Sequence, residues 1–244
     1  MYELIRKGIK LKYRRSYFGI IWSLFEPLLT TAVLVIVFGN ILGHREPSFS
    51  LYIICGKLLY GFFSESTRTS SRSIMANAGM IKKVYVPKYF YPLSECLWHY
   101  VVFLISLVVL IPVTIYARVS LTHRIWHIIP ALIYLLILSI GMGLLLSTFN
   151  VFLRDIEYLW NVVLLLIMYM SAIFYFPDKL LESNFGFLLK YNPLYCIIAL
   201  FRSGMLGTPA NMFLFVYPGV VSIIILILGI VIFKKNQDRF VLYL

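Results

Sequence analysis

The sequence predicts an all-α, polytopic membrane protein: six transmembrane helices, an amino-terminal amphipathic helix in the interface, a short cytoplasmic helix, and short re-entrant helices on the outer side. Three observations carry that expectation. Hydrophobic residues make up 61% of the 244 residues and charged ones 13%, too apolar a balance for a soluble domain. Several runs approach the roughly 20 apolar residues that a helix needs to cross a bilayer, with short connections between them. Finally, the basic residues fall on one side: placing both termini and the loops around Lys82 and Arg154 in the cytoplasm gathers 15 of the 22 Lys and Arg there. Topology thereby accounts for the net charge of +12, and nucleic acid is not needed as a partner. Residues 1–244 read as one transmembrane domain.

The amino-terminal segment, 1–22, has Ile5, Ile9, Tyr13 and Tyr17 at every fourth position, while Arg6, Lys7, Lys10, Lys12, Arg14 and Arg15 fill most of the remaining wheel. That pattern suits a helix lying in the interface, apolar side down. Its apolar run comes late and lacks a small-residue cleavage site, so no removable signal peptide is read. The first span is expected from Pro27 to Gly43, with Trp22 as an interfacial anchor.

The second span, from Leu51 to Phe63, is expected to continue as a polar helix from Ser64 to Arg72. So polar a continuation does not suit lipid: either it faces a bundle interior or water-filled path, with Glu65 spaced to pair with Arg68 or Arg72, or the helix has already left the membrane. Asn77 to Pro92 is basic and aromatic. It suits a short cytoplasmic helix that either docks a soluble partner or is an ordinary positive-inside loop.

The third and fourth spans are expected at about Leu97–Ala117 and Ile128–Phe152, and the fifth at Leu159–Phe176 after the short turn through Arg154 and Asp155. Residues 177–209 are too interrupted for one span yet too apolar for a free loop, and read as two short outer helices. The sixth span, Met212–Phe233, ends at Lys234 and Lys235.

No phosphate-binding glycine loop, zinc-protease motif or serine-nucleophile motif occurs, so ATP hydrolysis and intramembrane catalysis are not expected of this chain. No metal is expected: His123 and His127 have helical spacing, but no carboxylate or cysteine lies nearby in sequence to complete a site. Cys55, Cys96 and Cys196 read as buried thiols. With 18 Tyr and 19 Phe, the chain has aromatic rings to spare, and stacking on sugar rings would let a glycan slide along a path assigned to Tyr60, Phe62, Phe63, Tyr169, Phe174 and Tyr175.

Four stretches occur in register: Lys12-Tyr13-Arg14-Arg15-Ser16 with Gly19, Trp22 and Pro27; Lys82-Lys83-Val84-Tyr85-Val86-Pro87-Lys88; Arg154-Asp155-Ile156; and Asn192-Pro193-Leu194 followed by Arg202. Together they resemble the type-2 ABC transporter permeases that export polysaccharides, among them O-antigen, teichoic acid and capsular polysaccharide permeases, over nearly the whole chain. Glu26 departs from the pattern, since Asn is more usual before Pro27.

The resemblance implies a half-transporter in the cytoplasmic membrane of a bacterium. A second copy of the chain completes the channel, two ABC nucleotide-binding subunits carry ATP and magnesium, and a lipid-linked glycan is the cargo. This chain would hold no cofactor. The segment 77–92 would include the coupling helix, with Met80, Ile81, Lys82, Lys83, Val84, Tyr85, Pro87 and Lys88 against the ATPase; residues 177–209 would gate the outer mouth. Arg14, Arg15, Arg68 and Arg72 would receive the pyrophosphate of the lipid carrier, or serve topology alone. The alternatives are a type-2 exporter of a small hydrophobic compound or drug, a self-sufficient secondary transporter, and an intramembrane enzyme. A secondary carrier of this size usually carries internal repeats, and none is found.

Overall fold

The longest element is α2, Pro47–Ala76, 30 residues and therefore about 45 Å of helix, and the other elements are placed against it. The computed structural model describes residues 19, 22–42, 47–83, 86–119, 123–177 and 186–243, among which no strand occurs. Before α2 comes α1, Trp22–Leu42, and after it the single turn α3, Ala78–Ile81. Next are α4, Phe90–Ser106, and α5, Leu110–Tyr116, joined by a 3-10 turn at Leu107–Val109. A second 3-10 turn, His123–His127, leads into α6, Ile128–Phe152. Then follow α7, Ile156–Tyr169, α8, Gly186–Lys190, α9, Pro193–Leu206, α10, Met212–Asn236, and the terminal turn α11, Phe240–Tyr243.

Proline places several of these boundaries. Pro112 lacks an N–H and its ring crowds the carbonyl four residues back, at Val108, which is the middle of the 3-10 turn that splits α4 from α5. Pro130 sits in the first turn of α6, where no intrahelical partner is lost. Gly207, at φ +70°, closes α9 in the left-handed conformation that glycine adopts without a steric penalty.

Three helical stretches are long and apolar enough to cross a membrane: Phe90–Tyr116, His123–Phe152 and Met212–Arg239. They correspond to the third, fourth and sixth expected spans. The chain is an integral membrane protein. The first expected span begins five residues early, at Trp22, and carries Pro27 in its second turn. The fifth is corrected more deeply: α7 has 14 residues and stops at Tyr169, not Phe176, and non-helical backbone follows to Pro177. Between Pro177 and Pro209 the described residues hold two helices, α8 and α9, while residues 178–185 lie outside the described residues.

The polar continuation of α2 divides between two faces. Ser66, Thr67, Ser70, Ser71 and Ser73 are buried against neighbouring helices, while Glu65, Arg68 and Arg72 point outward. Four of the five hydroxyls reach a backbone carbonyl, Thr67 Oγ1 donating to that of Phe63 at 2.7 Å and Ser73 Oγ to that of Ser70 at 2.7 Å, while Ser71 Oγ is buried without a hydrogen-bond partner among the described residues. Ser70 Oγ reaches the Pro92 carbonyl of α4 at 3.0 Å. Small residues let backbones approach closely, and a methyl group on Gly143 of α6 would lie 2.9 Å from Ser70 Cβ. This serine stripe is a packing seam in the bundle interior.

The closest backbone contact joins α6 and α10. A Cβ on Gly229 would sit 2.6 Å from the Gly141 carbonyl oxygen, and one on Gly141 would sit 2.7 Å from Leu226 N. With backbone on both sides, nothing flexible can yield. Gly229→Ala is expected to destabilise the protein by roughly 1–3 kcal/mol, read as a lowered unfolding temperature in detergent, and Gly229→Leu is expected to stop accumulation in the membrane. A wild-type unfolding temperature for Gly229→Ala would contradict that packing.

Candidate transport site

Where α7 ends at Tyr169, the carbonyls that follow lose their helical partners among the buried residues Ser171, Ala172 and Ile173. The sequence supplies three side chains for them. Asn192 Nδ2 donates to the Met170 carbonyl at 3.0 Å and to Ser171 Oγ at 3.2 Å, while Asn192 Oδ1 accepts from Leu194 N and Tyr195 N to cap α9. Pro193 occupies the first helical position, where a missing N–H costs nothing. Tyr52 Oη of α2 lies 3.0 Å from both the Ala172 and the Tyr175 carbonyl oxygens.

Arg202 of α9 completes the arrangement. Its Nε donates to the Tyr52 carbonyl at 3.1 Å, Nη1 to the Ala172 carbonyl at 2.9 Å, and Nη2 to the Ile173 carbonyl at 3.3 Å. Its Cζ lies 3.4 Å from the Tyr52 ring centroid, in cation-π position. The residue is 4% exposed, and two of its three hydrogen-bond acceptors, the Ala172 and Ile173 carbonyls, lie just past the end of α7, the third being the Tyr52 carbonyl of α2. Ala172 stands at φ +46°, a conformation that a residue with a Cβ holds only where its surroundings impose it. Gly56 makes room: a Cβ there would meet Arg202 Nη2 at 2.5 Å.

On the outward face of α2, Arg68 Nη2 pairs with Glu65 Oε1 at 2.5 Å, as the spacing predicts. Arg72 pairs with Glu157 of α7 and not with Glu65. A cleft of about 390 Å³ opens between α1, α2 and α4, lined by Glu26 and Thr30, Lys57 and Glu65, and His99 and Phe103.

The candidate aromatics do not form one continuous wall within a protomer. Phe62 and Phe63 are buried, the first against Phe103 at 5.1 Å between ring centroids and the second against Trp160 at 6.2 Å. Tyr60 is half-buried and donates to the Leu164 carbonyl at 2.9 Å. Tyr175 donates to the Tyr169 carbonyl at 2.7 Å, Phe174 is half-buried, and Tyr169 is exposed. Five of the six, Tyr60, Phe63, Tyr169, Phe174 and Tyr175, therefore touch or belong to α7 and its continuation. The exposed side of α7 also carries Tyr158, Leu159, Val162 and Leu166, none of them among the aromatic path candidates.

At the other end of α2, Gly79, Met80, Lys82 and Lys83 are exposed and Ile81 is half-buried. Asn77 ties the turn back, with Nδ2 donating to the Ser73 carbonyl at 2.7 Å. Pro87 is exposed. Lys88 is engaged within the chain: its Nζ donates to the Gln237 carbonyl at 2.6 Å and lies 5.9 Å from the Phe240 ring centroid. Val84 and Tyr85 lie outside the described residues, as do Arg14, Arg15 and all but Gly19 and Trp22 of the amphipathic segment. Of the two spaced histidines, His127 meets Ser203 Oγ at 2.8 Å through Nδ1.

A helical integral membrane protein with a polar rod, an exposed basic elbow and a locked helix break is built as a transport subunit. Residues 1–206 match the ABC-2 type transporter family, and the chain belongs to it. It is 30% identical over 242 residues to the O-antigen export system permease protein RfbA of Klebsiella pneumoniae, covering 97% of this chain and 92% of that one. An O-antigen export system permease protein of Myxococcus xanthus is 22% identical over 205 residues, 82% of this chain and 78% of the relative. The polysialic acid transport protein KpsM of Escherichia coli is 21% identical over 253 aligned positions, 96% and 92% of the two chains.

Two outcomes test this geometry. Arg202→Leu removes the donor to three buried carbonyls and should cost roughly 2–5 kcal/mol, against about 1 kcal/mol for Tyr52→Phe. Unfolding temperatures in detergent measure the order, and equal effects would show that Arg202 is not the centre of the lock. For the α2–α7 pair, Arg72→Glu and Glu157→Arg should each lower export and the double exchange should restore it. Failure of the double exchange at normal protein levels would mean that the pair does not hold the two helices in register.

Proposed function

We propose that the chain is the membrane-spanning permease of an ATP-driven exporter that moves a lipid-linked cell-surface polysaccharide across the cytoplasmic membrane of a bacterium. Two copies form the channel, and two ABC nucleotide-binding subunits bind ATP and magnesium on the cytoplasmic side, where both termini also lie. The family and the roles for which its relatives are named support the cargo class. The observation that carries the mechanism is the continuity of α2, one helix joining the exposed elbow at Met80–Lys83 to the Arg202 lock.

ATP-driven closure of the partner subunits pushes on the elbow. Because α2 is an unbroken helix, the displacement passes along it to α7 through Arg72–Glu157 and the Tyr60 hydroxyl, and to the outer segment through Tyr52. The exposed side of α7, with Tyr158 and Tyr169, lines the path at the interface between copies. Its rings offer sliding contacts to sugars without the deep pocket that would trap them. Arg14, Arg15, Arg68 and Arg72 form the basic entrance for the carrier phosphate, bound by charge-assisted hydrogen bonds.

The test is co-expression with a candidate ABC nucleotide-binding subunit. The two chains should purify together, and ATP hydrolysis should drive glycan export. Lys82→Glu with Lys83→Glu, both exposed, should leave the protein folded while uncoupling hydrolysis from export. Absence of a nucleotide-binding partner, together with export that proceeds without ATP, would overturn the proposal; unchanged coupling in the double variant would remove the elbow from the docking surface.

A further inference from the structure

Where α6 and α10 touch at Gly141 and Gly229 the helices are in backbone contact, but beside that contact larger side chains hold them apart. The result is a groove of about 560 Å³, walled by Ile140 and Leu144 of α6, Leu226 and Ile230 of α10, and Leu93 of α4. Buried Phe233 lies against Phe240 at 5.3 Å between ring centroids and closes its floor. The volume is in the range of sites that enclose small ligands.

The groove is apolar along its walls and polar only at one end, where Tyr89, Lys234 and Gln237 line it. Gln237 is tied to the start of α4 by the Lys88 ammonium, which donates to its carbonyl at 2.6 Å. Lys234 is exposed and, among the described residues, forms no ion pair, not even with Asp238 one turn further on. It lies near the end of the Met212–Arg239 span, the level at which a lysine reaches lipid headgroups.

An apolar slot with a cation at its interfacial end matches one class of molecule by both shape and charge. We propose that this groove binds an anionic phospholipid, one acyl chain lying between α6 and α10 and its phosphodiester held by Lys234, with the Tyr89 hydroxyl and the Gln237 amide as further donors. The bound lipid fills the gap beside the Gly141–Gly229 contact and joins α4 to α10 next to the segment that carries the elbow. The proposal depends on membrane insertion and on no assumption about the exported polymer.

The probes are phosphatidylglycerol and phosphatidylcholine of identical chains, added to the full chain in detergent. Phosphatidylglycerol should raise the unfolding temperature by about 2–4 °C, the shift expected for one kcal/mol in a protein of this size, and phosphatidylcholine should not. Lys234→Gln should abolish the difference, whereas Lys235→Gln, which does not line the groove, should keep it. Ile230→Trp, at a half-exposed position, should fill the slot and remove the lipid adduct from the native mass spectrum while the protein stays folded.

Equal shifts from both lipids, or a shift that survives Lys234→Gln, would overturn the proposal. So would an equal shift from glycerol phosphate without acyl chains, displacement of phosphatidylglycerol by equimolar polyprenyl phosphate, or conversion of a dimer to monomers by Ile230→Trp. The last two would assign the groove to the lipid carrier or to a second copy of the chain.

Discussion

A guanidinium ion buried among carbonyls holds the described architecture together. Ending α7 at Tyr169 leaves peptide groups without helical partners among residues buried in the protein. Arg202 answers with two directed donors to the Ala172 and Ile173 carbonyls and a third to the Tyr52 carbonyl of α2, and Tyr52 stacks on its cationic plane while sending its own hydroxyl to the stretch after α7. A lysine has no planar fork with which to reach three carbonyls at once. The cluster ties α2, the break after α7 and α9 to one another, and it accounts for Gly56, whose missing side chain leaves the room that Arg202 occupies.

The same economy appears along α2. Its Ser and Thr residues look like a solvated surface when read as composition, yet they are the side chains small enough to let α4 and α6 approach, and the hydroxyls of Thr67, Ser70 and Ser73 go to backbone carbonyls. The charges occupy the opposite face, where they pair within α2 or across to α7. One helix therefore serves as packing core on one side and as a polar track on the other. Neither role needs the helix to leave the protein interior at Phe63, so it continues unbroken to the elbow.

Much of this was legible in the sequence because it depends on hydropathy and spacing. The apolar runs after Phe90, Ile128 and Met212 specify their helices, Glu65 and Arg68 are one turn apart, and Asn192-Pro193 writes a helix start in two residues. What stayed hidden depends on contacts between distant residues. Nothing local in Ser171-Ala172-Ile173 marks the end of a helix: the backbone of the break is held by Tyr52, Asn192 and Arg202, all distant in sequence. Arg72 likewise had a suitable partner at Glu65, and its actual partner, Glu157, is reached only once α7 is folded back along α2. Phe62 and Phe63 were read as pathway residues from their chemistry, although their rings fill the core of a single protomer.

The way α7 is attached explains why it is suited to move. Only Trp160 and Leu164 of its 14 residues are buried, so dispersion contacts hold it weakly, and in a bilayer there is no hydrophobic drive to press it home. Its register is kept by discrete polar links: Glu157 to Arg72, Trp160 Nε1 to Thr67 Oγ1 at 3.1 Å, and the Leu164 carbonyl to Tyr60. Links of this kind can break and re-form one turn away without emptying a packed core, whereas the Gly141–Gly229 contact of α6 and α10 allows no such exchange. The molecule thus divides by its physics into a rigid pair, α6 and α10, and a helix held by separable polar pins beside a rod that ends in an exposed basic elbow. A force applied at that elbow meets its least resistance at α7.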